Sequence, residues 1–227
     1  MLILGVDTSG KNGGIVLVHC ETEASRTLEL VPLEGGTFSA QLVPQIAALL
    51  EKHGITKHQI GAFAVVSGPG SFTGLRVGLA AIKALAEILK KPIAVVSRLE
   101  ASVLGSKREG RVTAVLDAGR GEVYAGTYSV QGERANCLGE EILSTGSLLE
   151  RAAGETVVAA DPKLADLLNE HGVKVIRIQA PRADAIASIA FHKLQCGEAV
   201  TPEALDATYI RRSDAETKFA RPTLRDD

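Results

Sequence analysis

The stretch SGPGSFTGLRVG, Ser67 to Gly78, lies between an apolar run, AFAVV, and an Ala/Leu/Ile-rich run. Four glycines, a proline and an arginine between a strand pattern and a helix pattern mark the kind of corner at which nucleotide-binding proteins hold phosphate. The familiar chemistries fail on spacing. A Walker A loop needs Gly-x4-Gly-Lys-Ser/Thr, but Thr73 stands where the second glycine belongs, and Gly74 is followed by Leu75 and Arg76. The dinucleotide pattern G-x-G-x-x-G fails at the same threonine. The nucleophile elbow G-x-S-x-G fails because Pro69 precedes Ser71 by two residues. Two readings remain. In one, an anion rests on N–H groups at the helix start. In the other, which we prefer, the glycines serve backbone geometry in a tight strand-to-helix turn beneath an interface, with Ser71 or Thr73 as helix cap.

Working outward, residues 2–7 and 14–19 read as strands joined by a glycine-rich turn, and 25–31 as a weaker third. Leu42, Val43, Ile46, Leu49 and Leu50 recur at helical spacing, which predicts a helix over 39–53 with Ser39 as its N-cap. A strand over 61–67, a helix over 73–90 ending before Pro92, a strand over 92–96 and a short helix over 98–105 follow. The polar SKREG, 106–110, is the candidate boundary. Beyond it the order repeats: strands over 112–117, 123–130 and 135–142, a helix over 147–153, a strand over 156–160, a helix over 162–171 with Pro162 at its first turn, a strand over 173–178 and a helix over 183–196. Each half opens with an apolar strand ending in aspartate, a glycine-rich turn and an apolar partner: LGVDTSGKNGGIVLV and AVLDAGRGEVYAGTY. Duplication is the economical reading; chance likeness of two α/β halves is the alternative. The expected units are 1–105, 106–210 and a charged tail, 211–227.

The 227 residues are 45% hydrophobic and 23% charged, enough for a real core in an ordinary globular chain. A net charge of −2 gives no overall pull toward nucleic acid or anionic membrane. Three scattered cysteines suggest neither a zinc site nor a disulfide framework. The opening MLILGVDTSG lacks the features of a signal peptide, and no apolar run reaches membrane length, so a cytoplasmic protein is expected.

Asp7 and Asp117 close matching strands beside glycine-rich turns. In two-lobed ATPases such a pair lies across a cleft and handles metal and phosphate; the plainer reading is an Asx-type turn. If any nucleotide binds, Asp7, Gly10, Gly13 and Asp117 are the residues to hold it. The five histidines form no metal-ligand spacing, His53 and His58 read as solvated, and no metal or cofactor is expected. The stretch YIRRSDAETKFARPTLRDD is mixed in charge and reads as a tail, with RNA phosphate contact as the alternative.

The strings GPGSFTGLRVGLAAIKALAEILKKPIAVVS, LGVDTSGKNGGIVLV, VLDAGRGEVYAGTY and DATYIRRSDAE together resemble the TsaB (YeaZ) family over nearly the whole chain, most specifically in GPGSFTGLR. The resemblance implies an α/β fold of the duplicated actin/Hsp70/sugar-kinase kind, with two lobes, each a mixed sheet flanked by helices. It also implies a non-catalytic subunit of the system that installs threonylcarbamoyl on adenosine 37 of ANN-decoding tRNAs. Such a subunit binds TsaD, supports docking of TsaE, meets tRNA only through the complex, and forms a homodimer when alone.

TsaD proteins carry a VNHLEGH-like segment whose histidines bind metal. Here the segment reads VSRLEAS, with Arg98 and Ser102 at those places, and neither serves as such a ligand. Many family members have His-Ser at the start of the first helix, where this chain has Phe38-Ser39. The resemblance assigns partner docking to the first two long helices, through Leu42, Val43, Ile46, Leu50, Gly74, Gly78, Ala81 and Leu85. On that reading Gly78→Arg blocks docking and leaves the monomer folded. The rival readings are an ATP-binding enzyme of the same fold and, behind it, a peptidase, against which the lack of a zinc motif or nucleophile constellation argues.

Overall fold

The computed structural model describes residues 1–21, 25–152, 155–206 and 210. The charged stretch 211–227 therefore lies outside the described residues. Among the described residues ten strands and six α-helices follow one another as β1 (Leu2–Asp7), β2 (Asn12–Cys20), β3 (Ser25–Glu34), α1 (Phe38–Lys52), β4 (Ala62–Gly68), α2 (Phe72–Leu89), β5 (Ile93–Ser97), α3 (Arg98–Gly105), β6 (Gly110–Gly119), β7 (Glu122–Gln131), β8 (Arg134–Ser144), α4 (Thr145–Arg151), β9 (Thr156–Ala159), α5 (Pro162–Glu170), β10 (Lys174–Arg177) and α6 (Ala183–Gln195).

The strands form two five-stranded sheets, β3-β2-β1-β4-β5 and β10-β9-β6-β7-β8. Read from its own first strand, each sheet has the order third, second, first, fourth, fifth. In each the first two connections are antiparallel hairpins and the outer strands on the other side run parallel. This shared topology is a duplication of one mixed-sheet unit, and the chain has the two-lobed α/β fold expected of it.

Central strands β1 and β4 are buried on both faces, as their unbroken apolar sequences require. α1 and α2 cover one side of the first sheet. α6, from the far end of the chain, lies against β1 and β2 and supplies Ala183, Ile186, Ala187, Ala190 and Phe191 to the first core. In return α3, which follows the first sheet, packs on β6, β7 and β8 and gives Leu99 and Val103 to a core of the second lobe. The break at 106–109 separates the sheets but not the helices that cover them. Among the described residues, no helix is long and apolar enough to cross a membrane.

Two local expectations are corrected. α1 begins one residue earlier than expected, at Phe38, whose ring is buried. Its N-cap is Thr37 rather than Ser39, and the Thr37 hydroxyl donates to the Glu34 carbonyl at 3.1 Å instead of capping the helix. His53 is not simply solvated: its Nε2 lies 2.9 Å from Glu29 Oε2, while Lys52 donates to the other oxygen at 2.8 Å. These two partners hold the Glu29 carboxyl below its ordinary pKa.

Candidate functional site

The Ser67–Gly78 corner is built around the turn that follows β1. Gly68 adopts φ 134°, open to glycine alone, just before a cis peptide to Pro69. Ser71 caps α2, accepting from the Gly74 N–H at 3.3 Å. The corner then grips its neighbour. The Ser71 N–H donates to the Ser9 carbonyl at 2.7 Å, and the Thr8 hydroxyl donates to the Gly74 carbonyl at 2.7 Å. A Cβ on Gly70 would strike the Ser9 carbonyl; on Gly74, the Thr8 carbonyl; on Gly78, the Thr8 hydroxyl. The glycines are there because the β1–β2 turn presses on them.

That placement sorts the residues proposed for docking. Leu42, Ile46 and Leu50 are buried in the first core, and Gly74 and Gly78 are buried against Thr8. These five are turned into the fold, and a side chain at position 78 would meet the Thr8 hydroxyl there. Ala81 and Leu85 are half-buried against the same core. Val43 alone of the set is well exposed, at 60%. The surface carries a different row: Ala40, Val43 and Ala47 on α1, and Ala80, Ala84 and Ile88 on α2, all exposed at helical spacing, with Ile88 at 72%. Phe72, at 37%, lies at the start of α2 with the Arg76 guanidinium 3.7 Å above its ring.

Asp7, Gly10, Gly13 and Asp117 are brought together. All four line an open cleft of about 1160 Å³ between the lobes. Asp7 is only 6% exposed, and its Oδ1 accepts from both the N–H and the hydroxyl of Ser9, at 2.8 and 2.6 Å. Asp117 is exposed and its Oδ1 accepts from the Gly119 N–H at 2.8 Å, an Asx turn. The ring of Phe38 lies where a Cβ on Gly13 would point, so the aromatic residue at the head of α1 packs on the glycine turn. Ser9 and Arg98 line this cleft and Thr8 lies buried next to Ser9, and none of the three was among the candidate site residues. The hydroxyl pair after Asp7 in DTSG is the signal that marks Thr8 and Ser9.

On another part of the seam, Lys193 of α6 donates to both oxygens of Glu100 of α3 at 2.9 and 2.8 Å. Glu100 is 6% exposed; burial pushes its carboxyl up, and Lys193 pulls it partly back. Beside this pair the hydroxyls of Ser97 and Tyr128 both donate to Glu140 Oε1. These groups line a smaller cavity of about 490 Å³ that Cys137 and Cys196 also border. Burial, followed by the Glu140 charge, raises the Cys137 thiol, so it is not an activated nucleophile. Among the described residues no group of three or more His, Cys, Asp or Glu side chains is placed to hold a metal ion.

Fold and cleft together define the class, a duplicated two-lobe α/β protein of the actin, Hsp70 and sugar-kinase kind. Residues 34–205 match the family model described as TsaD: tRNA N6-adenosine threonylcarbamoyltransferase. The chain is 31% identical to the tRNA threonylcarbamoyladenosine biosynthesis protein TsaB of Escherichia coli, over 96% of this chain and 98% of that one. It is 27% identical to the TsaB of Bacillus subtilis over the same shares. The solved YeaZ of Pseudomonas aeruginosa superposes with a TM-score of 0.72 at 26% identity, covering 92% of this chain and all of that one. The chain belongs to the TsaB (YeaZ) family.

Proposed function

We propose that this chain is a non-catalytic docking subunit of the cytoplasmic system that makes threonylcarbamoyladenosine in tRNA. The observation that carries the docking role is the exposed apolar row on α1 and α2, above all Val43 and Ile88, on helices whose other faces are locked into the first core. An apolar row of this kind is costly to leave in water and suits a helical partner face. The partner is a TsaD-type transferase, which supplies the chemistry; TsaE joins the assembly through that pair, and tRNA is met through the complex. Without the transferase, the same face pairs two copies of this chain.

The test is a titration of the cognate TsaD-type protein with the Val43→Glu, Ile88→Glu double variant. Loss of affinity of at least about thirtyfold is expected for charges placed at two contact positions. Threonylcarbamoylation in the reconstituted system should fall with it, while the fold, followed by circular dichroism, is unchanged. Wild-type affinity in the double variant would overturn the docking face.

A further inference from the structure

α1 carries a proline in its interior, Pro44, beyond the first turn in which a helix accepts one without loss. Having no N–H, Pro44 cannot donate to the carbonyl of Ala40, four residues back, so the hydrogen-bond ladder of α1 has a gap at that oxygen. Among the described residues no group outside the helix fills it. Neighbouring donors are engaged: the Gln41 amide donates to the Thr37 hydroxyl, and that hydroxyl donates to the Glu34 carbonyl.

The gap lies on the exposed apolar row. Ala40, Val43, Pro44 and Ala47 are all exposed, and their spacing places them on one face of α1. A helix carbonyl points along the axis toward the residue four ahead, so the Ala40 oxygen opens onto this row beside the Pro44 ring. The other half of the face has no such gap, because α2 contains no proline and its carbonyls under Ala80 and Ala84 meet N–H groups of their own helix. In the free chain water reaches the Ala40 oxygen. When the row is covered that water leaves, and a carbonyl dried without a donor is a penalty on binding. A wholly apolar partner surface incurs the penalty; one with a donor at that point avoids it.

We infer that the Ala40 carbonyl is a recognition point on the docking face, accepting a hydrogen bond from a side-chain N–H or O–H that the transferase partner sets among its apolar contacts. The inference rests on the docking role proposed above and adds the partner's chemistry at one atom. The donor is a side chain because, beyond the first turn, the backbone N–H groups of a partner helix are used within it.

The test titrates the full chain with the cognate TsaD-type protein and reads two quantities. The first is the affinity of Pro44→Val, which restores an N–H beneath Ala40 and keeps the same number of side-chain carbons. The new N–H competes with the partner's donor, so affinity should fall about tenfold, the effect of one hydrogen bond. If the wild-type carbonyl were merely dried on docking, the variant would relieve that penalty and bind more tightly. The second readout needs no variant. Ala40–Gln41 is the one Ala-Gln step in the chain, so wild type labelled with carbonyl-13C alanine and 15N glutamine gives a single correlated resonance for that peptide. Its carbonyl shift should move downfield on saturation with the partner. Equal or tighter binding by Pro44→Val overturns the inference, as does a carbonyl that stays put or moves upfield while docking is intact. A shift produced by concentrating this chain alone, with none on adding the transferase, would give the donor to a second copy and overturn it too. Wild type that does not bind the transferase at all is a separate result: it removes the docking role, and this inference with it.

Discussion

The two lobes turn the same corner in different ways. In the first, the chain passes from β4 to α2 through SGPGS, and Ser71 caps the helix. In the second it passes from β9 to α5 through Ala160 and Asp161, whose carboxylate accepts from the Leu164 N–H at 2.9 Å, with Pro162 opening the helix. The second corner is the economical way to start a helix. The first takes four glycines, and three of them, Gly70, Gly74 and Gly78, answer to the neighbouring hairpin turn. The β1–β2 turn, with buried Asp7 and Thr8, is pushed into the α2 corner and bonded to it twice. The equivalent β6–β7 turn stands clear on Gly119, Arg120 and Gly121, all at positive φ, and reaches instead to the start of α4, where the Thr145 N–H and hydroxyl donate to the Gly121 carbonyl. A glycine-rich strand–helix corner can thus mean a second backbone resting on it, with no phosphate involved.

That contrast can be broken by mutation. Gly74→Ala should cost about 3 kcal/mol or more, because its methyl meets a backbone carbonyl that cannot swing aside. In the second lobe, Gly146→Ala at the start of α4 meets nothing closer than the Ser144 hydroxyl, 3.9 Å away, and should be close to neutral in urea unfolding. At the seam where the lobes share helices, Lys193→Met should cost about 3 kcal/mol at neutral pH, since it leaves Glu100 buried without its cation. Its pH dependence has a definite sign. A carboxyl held above its ordinary value of 4.5 binds its proton more tightly folded than unfolded. The deficit is therefore present above the folded pKa and disappears as pH falls through it toward 4.5, so the variant should regain stability on mild acidification. A deficit that does not shrink on acidification would count against the charge account.

The paired aspartates sharpen the comparison further. Asp7→Ala strips two hydrogen bonds from a buried turn and should cost about 2 kcal/mol, whereas Asp117→Ala, on the exposed turn, should cost a fraction of that. Equal costs would mean that the two turns are not held differently after all. The smallest effect is expected on the α1–α2 surface, where Val43→Glu and Ile88→Glu should each shift stability by no more than about 0.5 kcal/mol.

The fold was largely legible because period and punctuation agree: every expected strand and helix exists within a few residues, and the repeated strand–Asp–turn pattern announced the duplication. The docking face was legible only in part. Helical spacing groups Leu42, Ile46 and Leu50 on one face of α1 but does not say which face meets the chain's own sheet, and that face proved to be the core. Likewise Gly74 and Gly78 read as smooth patches for a partner, when the partner is Thr8 of the same chain. Both placements come from tertiary contacts, of α1 with β2 and β3 and of Gly74 and Gly78 with Thr8, to which local pattern is blind. Arg98 drew notice as a substitution at a family metal position; that its Nε is enclosed without a partner among the described residues is a matter of packing that spacing does not show.

The exchange of α3 and α6 between the sheets also sets an order of events during synthesis. β1, β2 and β4 leave the ribosome early, yet the side of their sheet that α6 covers stays bare until residues 183–195 have been made. The half of the molecule translated first is the half completed last. A fragment stopping at residue 105 would keep its strands but expose Val16, Gly5 and their neighbours where Ala183 and Ala187 should lie. Such a nascent chain has an open apolar sheet for most of its time on the ribosome, which makes it a natural client for a holding chaperone until its last helix arrives.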